Sequence, residues 1–345
     1  MTRALVTGGT GFLGAAVVDI LLARGYHVVT TVRTLEKAQD MRTHFSSDKL
    51  DFVIVEDIAK LDAFDKAVVN DPPFDAVIHT ASPFHYTINN IKKDMIDPAV
   101  NGTVGILNSV KKYAPTVKRV VITSSFAAMV DVNKAVGWKW SERDWNPVTW
   151  ETAEDPTNSA GQAGYRTSKA LAEKAAWEFM EKEKPGFTLT TLNPSLIFGP
   201  VQPWLRSLDV INTSNERFRD FISGAAREKC PPTGSLFWVD VRDVALAHAL
   251  AVEKPQSAGK RYFLTAGNFC NRDVVETIAE SFPELKDRLP SGDKALEEGS
   301  YPPGGPKYGY NNSASRNDLG LEYRSLKESV ADTVKSLQAV GIAAQ

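Results

Sequence analysis

The sequence predicts an α/β protein with a doubly wound parallel sheet and a smaller C-terminal lobe. From residue 3 to residue 192, six short apolar runs alternate with helical patterns, which is typical of a parallel sheet with helices on both faces. A glycine-rich turn joins the first run to the first helix. The alternation stops near residue 195, where irregular sequence begins. We therefore expect a large domain of residues 1–194 plus about 235–265, and a substrate-binding lobe of about 195–234 and 266–345.

The composition is that of an ordinary globular protein and argues against several classes of function. The chain has 345 residues, 43% of them hydrophobic, and a net charge of −2. That charge gives no reason to expect a nucleic acid or an anionic membrane as partner. Cys230 and Cys270 are its two cysteines and predict neither a disulfide framework nor a zinc site, so we expect no metal. We expect no membrane-spanning segment and no signal peptide, and hence a cytoplasmic protein. We also expect a monomer or homodimer.

The first element is a strand, a glycine-rich turn and a helix. Gly8 permits the tight turn, Gly11 lets backbone amides approach a pyrophosphate, and Gly14 lets the helix pack close to the strand. The helix begins beside this turn, so its N-terminus faces the phosphates. A turn without a ligand is the alternative. The candidate cofactor contacts here are Gly8, Gly11, Phe12, Leu13 and Gly14.

The end of the second strand, residues 27–32, indicates which dinucleotide is bound. NAD-binding folds usually place an acidic residue there, whereas an arginine accommodates the 2′-phosphate of NADP. Here the residue is Arg33, and Lys37 follows one helical turn later. These two cations predict NADPH as cofactor. An exposed basic helix start without a ligand is the alternative.

The next two strands, 52–55 and 75–79, end in further candidate contacts. The side chain after the third strand of this topology lies beside the adenine, and small residues after the fourth let the cofactor lie against the backbone. We interpret His79 as a buried core histidine rather than an acid or base. The candidates are Asp57 and Ile58 after the third strand, and Thr80, Ala81 and Ser82 after the fourth.

A tyrosine and a lysine four residues apart, Tyr165 and Lys169, open a helical pattern. Residues at i and i+4 lie on one face of a helix, so the lysine charge would favour the phenolate and help the tyrosine donate a proton to a carbonyl oxygen. The fifth strand, 117–123, ends in Ser124 and Ser125, either of which could hydrogen-bond the same oxygen. A surface helix and an ordinary hydroxyl at a strand end are the alternatives.

Four tryptophans crowd the segment 138–150. Aromatic residues at that density could form a lid over the site or staple a long loop to the body of the protein, and we favour the staple.

Together, the three glycines, Ser125, Tyr165 and Lys169 resemble the extended short-chain dehydrogenase/reductase superfamily. The strings at 79–84, 98–102 and 239–244 are similar to its dihydroflavonol-reductase-like branch, which includes fungal NADPH-dependent methylglyoxal (isovaleraldehyde) and ketone reductases. The resemblance covers nearly the whole chain and implies a Rossmann fold.

The resemblance implies roles for individual residues. It selects Ser125 rather than Ser124 as the catalytic serine, Tyr165 as general acid and Lys169 as a ligand of the nicotinamide ribose. Phe126 and Leu196 stand where the fungal reductase has tyrosines, which implies a more apolar pocket. Further implied cofactor contacts are Pro194, Ile197 and Ser214, and the implied substrate wall is Phe84, Phe126, Leu196 and Trp204.

The resemblance thus implies an NADPH-dependent carbonyl reductase that transfers hydride to an aldehyde or ketone. A nucleotide-sugar epimerase or dehydratase that retains NAD⁺ is the alternative within enzymes. A non-enzymatic NADP sensor is the alternative outside them, because fold alone does not fix function.

Overall fold

The structure is a computed structural model that describes residues 2–82, 90–159, 161–205, 211–235 and 237–341. Within these ranges a seven-stranded parallel sheet forms the centre of the molecule, in the order β10-β7-β5-β4-β1-β2-β3, and the predicted α/β class is confirmed. The strands are β1 (Arg3–Thr7), β2 (His27–Val32), β3 (Leu50–Ile54), β4 (Ala76–His79), β5 (Arg119–Thr123), β6 (Lys139–Trp140), β7 (Thr188–Pro194), β8 (Leu196–Phe198), β9 (Phe237–Asp240), β10 (Arg261–Leu264), β11 (Gly267–Asn268) and β12 (Gly309–Tyr310).

Helices cover both faces of this sheet. Side chains alternate along β1, so Ala4 and Val6 face one layer while Leu5 faces the other. The first layer contains α1 and α7, and the second contains α3 and α5. The helices are α1 (Phe12–Ala23), α2 (Leu35–Phe45), α3 (Asp97–Tyr113), α4 (Pro156–Ser159), α5 (Gly161–Glu183), α6 (Thr213–Ser223), α7 (Val241–Glu253), α8 (Asn271–Ser281), α9 (Asp293–Leu296), α10 (Ser313–Leu319) and α11 (Leu326–Ala339).

The strand order reverses between β1 and β4, and this reversal positions the site. The chain runs outward from β1 through β2 to β3, and then crosses to β4 on the other side of β1. The loops after β1 and β4 therefore diverge and leave a crevice at the carboxyl edge, where open α/β sheets bind ligands.

The strand β9 differs from the prediction that placed residues 235–265 with the large sheet. It lies in a second sheet, ordered β11-β9-β8. The chain leaves β7 and enters β8 after the single residue Ser195, and β8 then pairs with β9 through Ile197 and Val239. The rest of that segment stays with the large sheet, since α7 packs on α1 and β10 pairs with β7.

The lobe has its own core, built from β8, β9 and the helices α6, α8 and α11 around Phe198, Phe218 and Trp238. In the segment 138–150, Trp140 is only 2% exposed and meets the rings of Phe126 and Tyr308 edge-on. These contacts agree with the interpretation of this segment as a stapled loop.

Among the described residues, no helix is long and apolar enough to cross a bilayer.

Candidate active site

The turn after β1 requires glycine at two positions. Gly8 has φ +76°, and a Cβ there would lie 2.9 Å from the Cα of Ala81. A Cβ on Gly14 would overlap the carbonyl oxygen of Gly8. The first glycine thus brings the loops after β1 and β4 together, and the second brings α1 against the turn. The backbone here is as close as a pyrophosphate cradle needs.

The N-terminus of α1 begins at this turn. Gly11 is the N-cap and brings no side chain, and among the described residues no side chain caps the helix. First-turn amides of an uncapped helix are donors for an anion. Phe12 packs against the lobe core and Leu13 against the core beneath α1, so these two residues can offer a cofactor their backbone amides while their side chains anchor the helix.

Two cations stand at the end of β2. Arg33 and Lys37 are both exposed, and within the described ranges neither has a hydrogen-bonding or ionic side-chain partner. Thr34 caps α2, accepting a hydrogen bond from the amide of Lys37 at 3.4 Å. Glu36 shares that first turn. The arrangement brings two exposed positive side chains and a helix start to one edge of the crevice.

The residues after β3 lie on the next loop. Asp57 is exposed, and its Oδ1 accepts a hydrogen bond from the amide of Ala59 at 2.9 Å. Ile58 is half-buried and packs against the core formed with α3. Their position matches the predicted adenine side, and their contact with a cofactor stays a prediction.

The loop after β4 is fixed by Thr7 at the end of β1. Thr80 donates to the Thr7 carbonyl at 2.6 Å, and the amide of Ala81 donates to the Thr7 hydroxyl at 3.2 Å. The same hydroxyl lies 2.8 Å from Nδ1 of His79. Burial lowers the pKa of His79 to about 3, so this histidine is neutral and structural, as interpreted from the sequence.

The helix α5 presents Tyr165 and Lys169 on one face. The tyrosine side chain is 38% exposed, and the lysine ammonium lies 5.9 Å from the centre of its ring. Lys169 Nζ also donates a hydrogen bond to Ser82 Oγ at 2.8 Å. The lysine therefore joins α5 to the loop after β4, where the cofactor is expected.

The two serines after β5 have different environments. Ser124 is buried and donates to Glu173 Oε2 at 2.6 Å. Ser125 is half-exposed, and its Oγ accepts a hydrogen bond from the amide of Ala127 at 3.1 Å, which leaves its hydroxyl proton for a ligand. The turn that follows, Phe126–Ala128, packs against α5. The structure thus gives the available hydroxyl to Ser125, beside the helix that carries Tyr165.

Three residues of the predicted substrate wall lie within the described ranges, and their contact with a substrate stays a prediction. The ring of Phe126 stacks on Phe263, with centroids 5.0 Å apart, and Leu196 is half-buried on β8. Trp204 instead packs on α2, with its ring 4.8 Å from His44. Because α2 follows β2, three strands from β5, this contact does not bring Trp204 to Ser125. Phe84 lies outside the described residues.

Three further predicted cofactor contacts lie where β7 passes into the lobe. Pro194 ends β7 and is buried, and Ile197 is half-buried in β8. Ser214 is half-buried in the first turn of α6. The neighbouring Asn215 fixes this turn by donating to the Gly199 carbonyl at 2.9 Å.

Sequence reasoning missed one charged residue beneath the site, Glu173. Its spacing offered a clue, since it follows Tyr165 by eight residues and Lys169 by four and so shares their helical face.

In the part of the chain that the structure describes, no group of three or more His, Cys, Asp or Glu side chains could hold a metal ion.

Known proteins resemble the chain over most of its length. Residues 4–265 match the model of the NAD dependent epimerase/dehydratase family. The chain is 44% identical to a ketoreductase of Aspergillus niger over 97% of both proteins. It is 38% identical to the NADPH-dependent methylglyoxal reductase of Saccharomyces cerevisiae, over 96% of this chain and 97% of that one.

A solved structure gives the same picture. Yeast methylglyoxal/isovaleraldehyde reductase, complexed with NADPH, matches with a TM-score of 0.84 and 34% identity, covering 97% of this chain and 98% of that one. The predicted resemblance to fungal reductases of the short-chain dehydrogenase/reductase type is confirmed. The chain therefore belongs to the NAD dependent epimerase/dehydratase family.

Proposed function

We propose that this protein is an NADPH-dependent carbonyl reductase that converts an aldehyde or ketone to an alcohol. One observation carries the proposal. Tyr165 and Lys169 share one face of α5, Lys169 bonds Ser82 on the loop after β4, and Ser125 follows β5 with its hydroxyl proton available, all at the carboxyl edge of the sheet that also carries the glycine turn after β1. A family that also contains epimerases and dehydratases offers several reactions, so the choice of reductase rests on this site and on the relatives' names.

The residues present fit NADPH. The first-turn amides of α1 suit the pyrophosphate, and Lys169 suits the hydroxyls of the nicotinamide ribose. Arg33 and Lys37 suit a 2′-phosphate, because an exposed guanidinium and ammonium are the usual ligands of a doubly charged phosphate. Two cations at the strand end favour NADPH over NADH.

The chemistry divides between the cofactor and the chain. NADPH, when bound, supplies the hydride that the carbonyl carbon accepts. Tyr165 gives its phenolic proton to the carbonyl oxygen, while the Ser125 hydroxyl donates a hydrogen bond to the same oxygen and stabilises its developing negative charge. Lys169 compensates the negative charge that remains on the phenolate. Solvent then returns a proton to Tyr165, whose side chain is 38% exposed.

The substrate is a small carbonyl compound with apolar substituents. Phe126 and Leu196 are both half-buried and closely follow the carboxyl ends of β5 and β7, so they can contact a ligand there without losing their packing. We assign the remaining side of the pocket to the smaller lobe, whose core is formed around Phe198, Phe218 and Trp238. Relatives named for methylglyoxal and isovaleraldehyde make small aldehydes and diketones the first compounds to test.

The variant Tyr165→Phe tests the mechanism. Removing the general acid should lower kcat by about 10²–10⁴, while the Kd for NADPH stays within about threefold of the wild type because the ring remains. Tyr113→Phe is the matched control, since Tyr113 is also a helical residue, at the end of α3, and is equally exposed at 38%. Near-normal turnover by Tyr165→Phe would contradict the mechanism.

Two other functions would leave different results. An epimerase or dehydratase would be purified with stoichiometric NAD⁺, which extraction and chromatography would detect. A sensor would bind NADPH tightly and a partner protein in response, without oxidising the cofactor. The Tyr165 and Lys169 pair favours the reductase over both.

We also infer that the protein works in the cytoplasm as a monomer or homodimer. Cys230 and Cys270 are both free and buried, which suits a reducing compartment. Cell fractionation and light scattering test these two points.

A further inference from the structure

We infer that Glu173 is a positioning residue that holds Ser125 at a fixed place relative to Tyr165. The inference rests on the proposed function, because it assumes that Ser125 and Tyr165 act on one carbonyl oxygen. Glu173 is 2% exposed, a rare condition for a carboxylate. It lies on the face of α5 that carries Tyr165 and Lys169, and it lines the same small cavity as Lys169 and Ser124.

Donors surround both carboxylate oxygens. Oε1 accepts from Thr191 Oγ1 at 2.8 Å, from Arg261 Nε at 2.6 Å and from Trp177 Nε1 at 3.4 Å. Oε2 accepts from Ser124 Oγ at 2.6 Å, from the side-chain amide of Asn193 at 2.6 Å and from Arg261 Nη2 at 3.4 Å. A carboxylate has about four lone-pair sites, so the acceptor capacity of Glu173 is filled.

Two of these donors lead to Ser125. Ser124 is its neighbour in the chain, and its side chain is held by Glu173. Asn193 uses the same amide nitrogen to bind Glu173 and to donate to the Ser125 carbonyl at 3.1 Å. One carboxylate on α5 therefore fixes the end of β5 on both sides of Ser125, and so sets the separation between the serine hydroxyl and the tyrosine.

Arg261 supplies the compensating charge. Its guanidinium pairs with Glu173, donates to the carbonyls of Glu142 and Asp144 at 2.6 and 2.9 Å, and stacks 3.5 Å from the centre of the Trp145 ring. Burial alone would raise the pKa of Glu173, but the charge of Arg261 and the hydrogen bonds hold this pKa below its ordinary value. Through Arg261, the same carboxylate also anchors the stapled segment 138–150.

The negative charge is essential to this arrangement. A glutamine has nearly the same shape, but its NH₂ group would face donors wherever it was placed, and the charge of Arg261 would lose its partner. Ser124 and Asn193 would then shift, and Ser125 with them. A misplacement of about 1 Å at a reacting group can cost on the order of 100-fold in rate.

The test begins with Glu173→Gln and a matched control, Asp243→Asn. Asp243 is likewise buried, at 1% exposed, and pairs with Arg324, but none of its hydrogen bonds among the described residues reaches α5 or Ser125. Both variants remove a buried charge and should lower Tm. We expect kcat for the best carbonyl substrate to fall by about 10- to 100-fold in Glu173→Gln alone, with the Kd for NADPH within about threefold of the wild type.

A double-mutant cycle with Ser125→Ala separates positioning from general loss of stability. If Glu173 acts through the serine, Glu173→Gln should lower kcat by no more than about threefold when Ser125 is already alanine. An equal loss in both backgrounds would overturn the inference and leave the proposed function intact. Wild-type turnover by Ser125→Ala would overturn the role of Ser125, and the inference with it.

Ser124→Ala repeats the test without removing charge, in case Glu173→Gln does not fold. It deletes one of the two links between Glu173 and the end of β5 and should lower kcat by about 3- to 10-fold, again only when Ser125 is present. Unchanged kcat in this variant would overturn the inference.

Discussion

The preference for NADPH is predicted to depend on Arg33. The variant Arg33→Ala removes an exposed guanidinium at the end of β2 that has no protein partner among the described residues, so the change should leave stability and fold untouched. An NADPH molecule would lose one charge-assisted contact with its 2′-phosphate, whereas NADH has no phosphate there to lose.

The size of the effect follows from the exposure of the site. A hydrogen bond to a charged group contributes about 1.5–3 kcal/mol, and an exposed position belongs at the lower end of that range because water and salt screen it. About 1.5 kcal/mol corresponds to roughly a tenfold rise in the KM for NADPH. The double variant Arg33→Ala/Lys37→Ala should raise the KM for NADPH by less than about 100-fold, because both side chains would contact one phosphate and their effects would not add fully.

The assay is kcat/KM for NADPH and NADH at low and high salt. The ratio of the two should fall by about tenfold in Arg33→Ala, and the difference from the wild type should shrink as salt shortens the screening length from about 10 Å at 0.1 M to about 3 Å at 1 M. Arg42→Ala is the control, since Arg42 is an exposed cation on α2, the helix that follows Arg33, and lies over the Phe52 ring. An equal fall of kcat/KM for NADPH and NADH in Arg33→Ala, or no fall for either, would refute the assignment of Arg33 as a ligand of the 2′-phosphate.

Three further predictions concern the fold that supports the site. Gly14→Ala should weaken NADPH binding at least tenfold and lower the free energy of unfolding by about 1–3 kcal/mol, because the new Cβ overlaps a backbone carbonyl. Gly186→Ala, with open space around it, should change neither quantity when binding and unfolding are measured by calorimetry. Burial lowers the pKa of His248 from 6.5 to about 4, so the unfolded chain binds the proton first. The free energy of unfolding should therefore fall as pH drops from about 6.5 to about 4, by up to roughly 3 kcal/mol. Denaturant titrations of His248→Gln should lack this part of the pH dependence, and an unchanged pH dependence would contradict the role given to His248. Trp140→Ala should lower the free energy of unfolding by about 3–5 kcal/mol. Trp138 is 39% exposed, so Trp138→Ala should lower it by about 1 kcal/mol or less. Equal losses of stability would argue against the interpretation of 138–150 as a stapled loop.

The parts of the fold that follow from local pattern were predictable. Apolar runs at β1, β2, β4, β5 and β7 are bounded by turns, and their alternation with helices determines a parallel sheet. The pairing of β8 with β9 could not be predicted in this way, because it joins Ile197 to Val239 across an irregular stretch. Short strands carry little periodicity of their own, and only tertiary contact decides which sheet they enter.

The candidate site shows the same division. The glycine turn and the Tyr165–Lys169 pair depend on spacing within one element, and spacing is visible in a sequence. The choice between Ser124 and Ser125 depended on resemblance, because tertiary structure distinguishes the two hydroxyls: Ser124 is buried against Glu173 and Ser125 is half-exposed. The ring of Trp204 packs on α2, a partner more than 150 residues away that no local pattern could indicate.

The oxidation of NADPH, and separately of NADH, in the presence of carbonyl compounds tests the central claim most directly. The panel should include methylglyoxal, isovaleraldehyde, a diketone, an aryl ketone and a dihydroflavonol, with absorbance as the readout. A reductase that uses Arg33 and Lys37 will oxidise NADPH rapidly with at least one of these compounds, and NADH slowly or not at all. Tight dinucleotide binding without oxidation of either cofactor would contradict the assignment and favour an epimerase or a sensor.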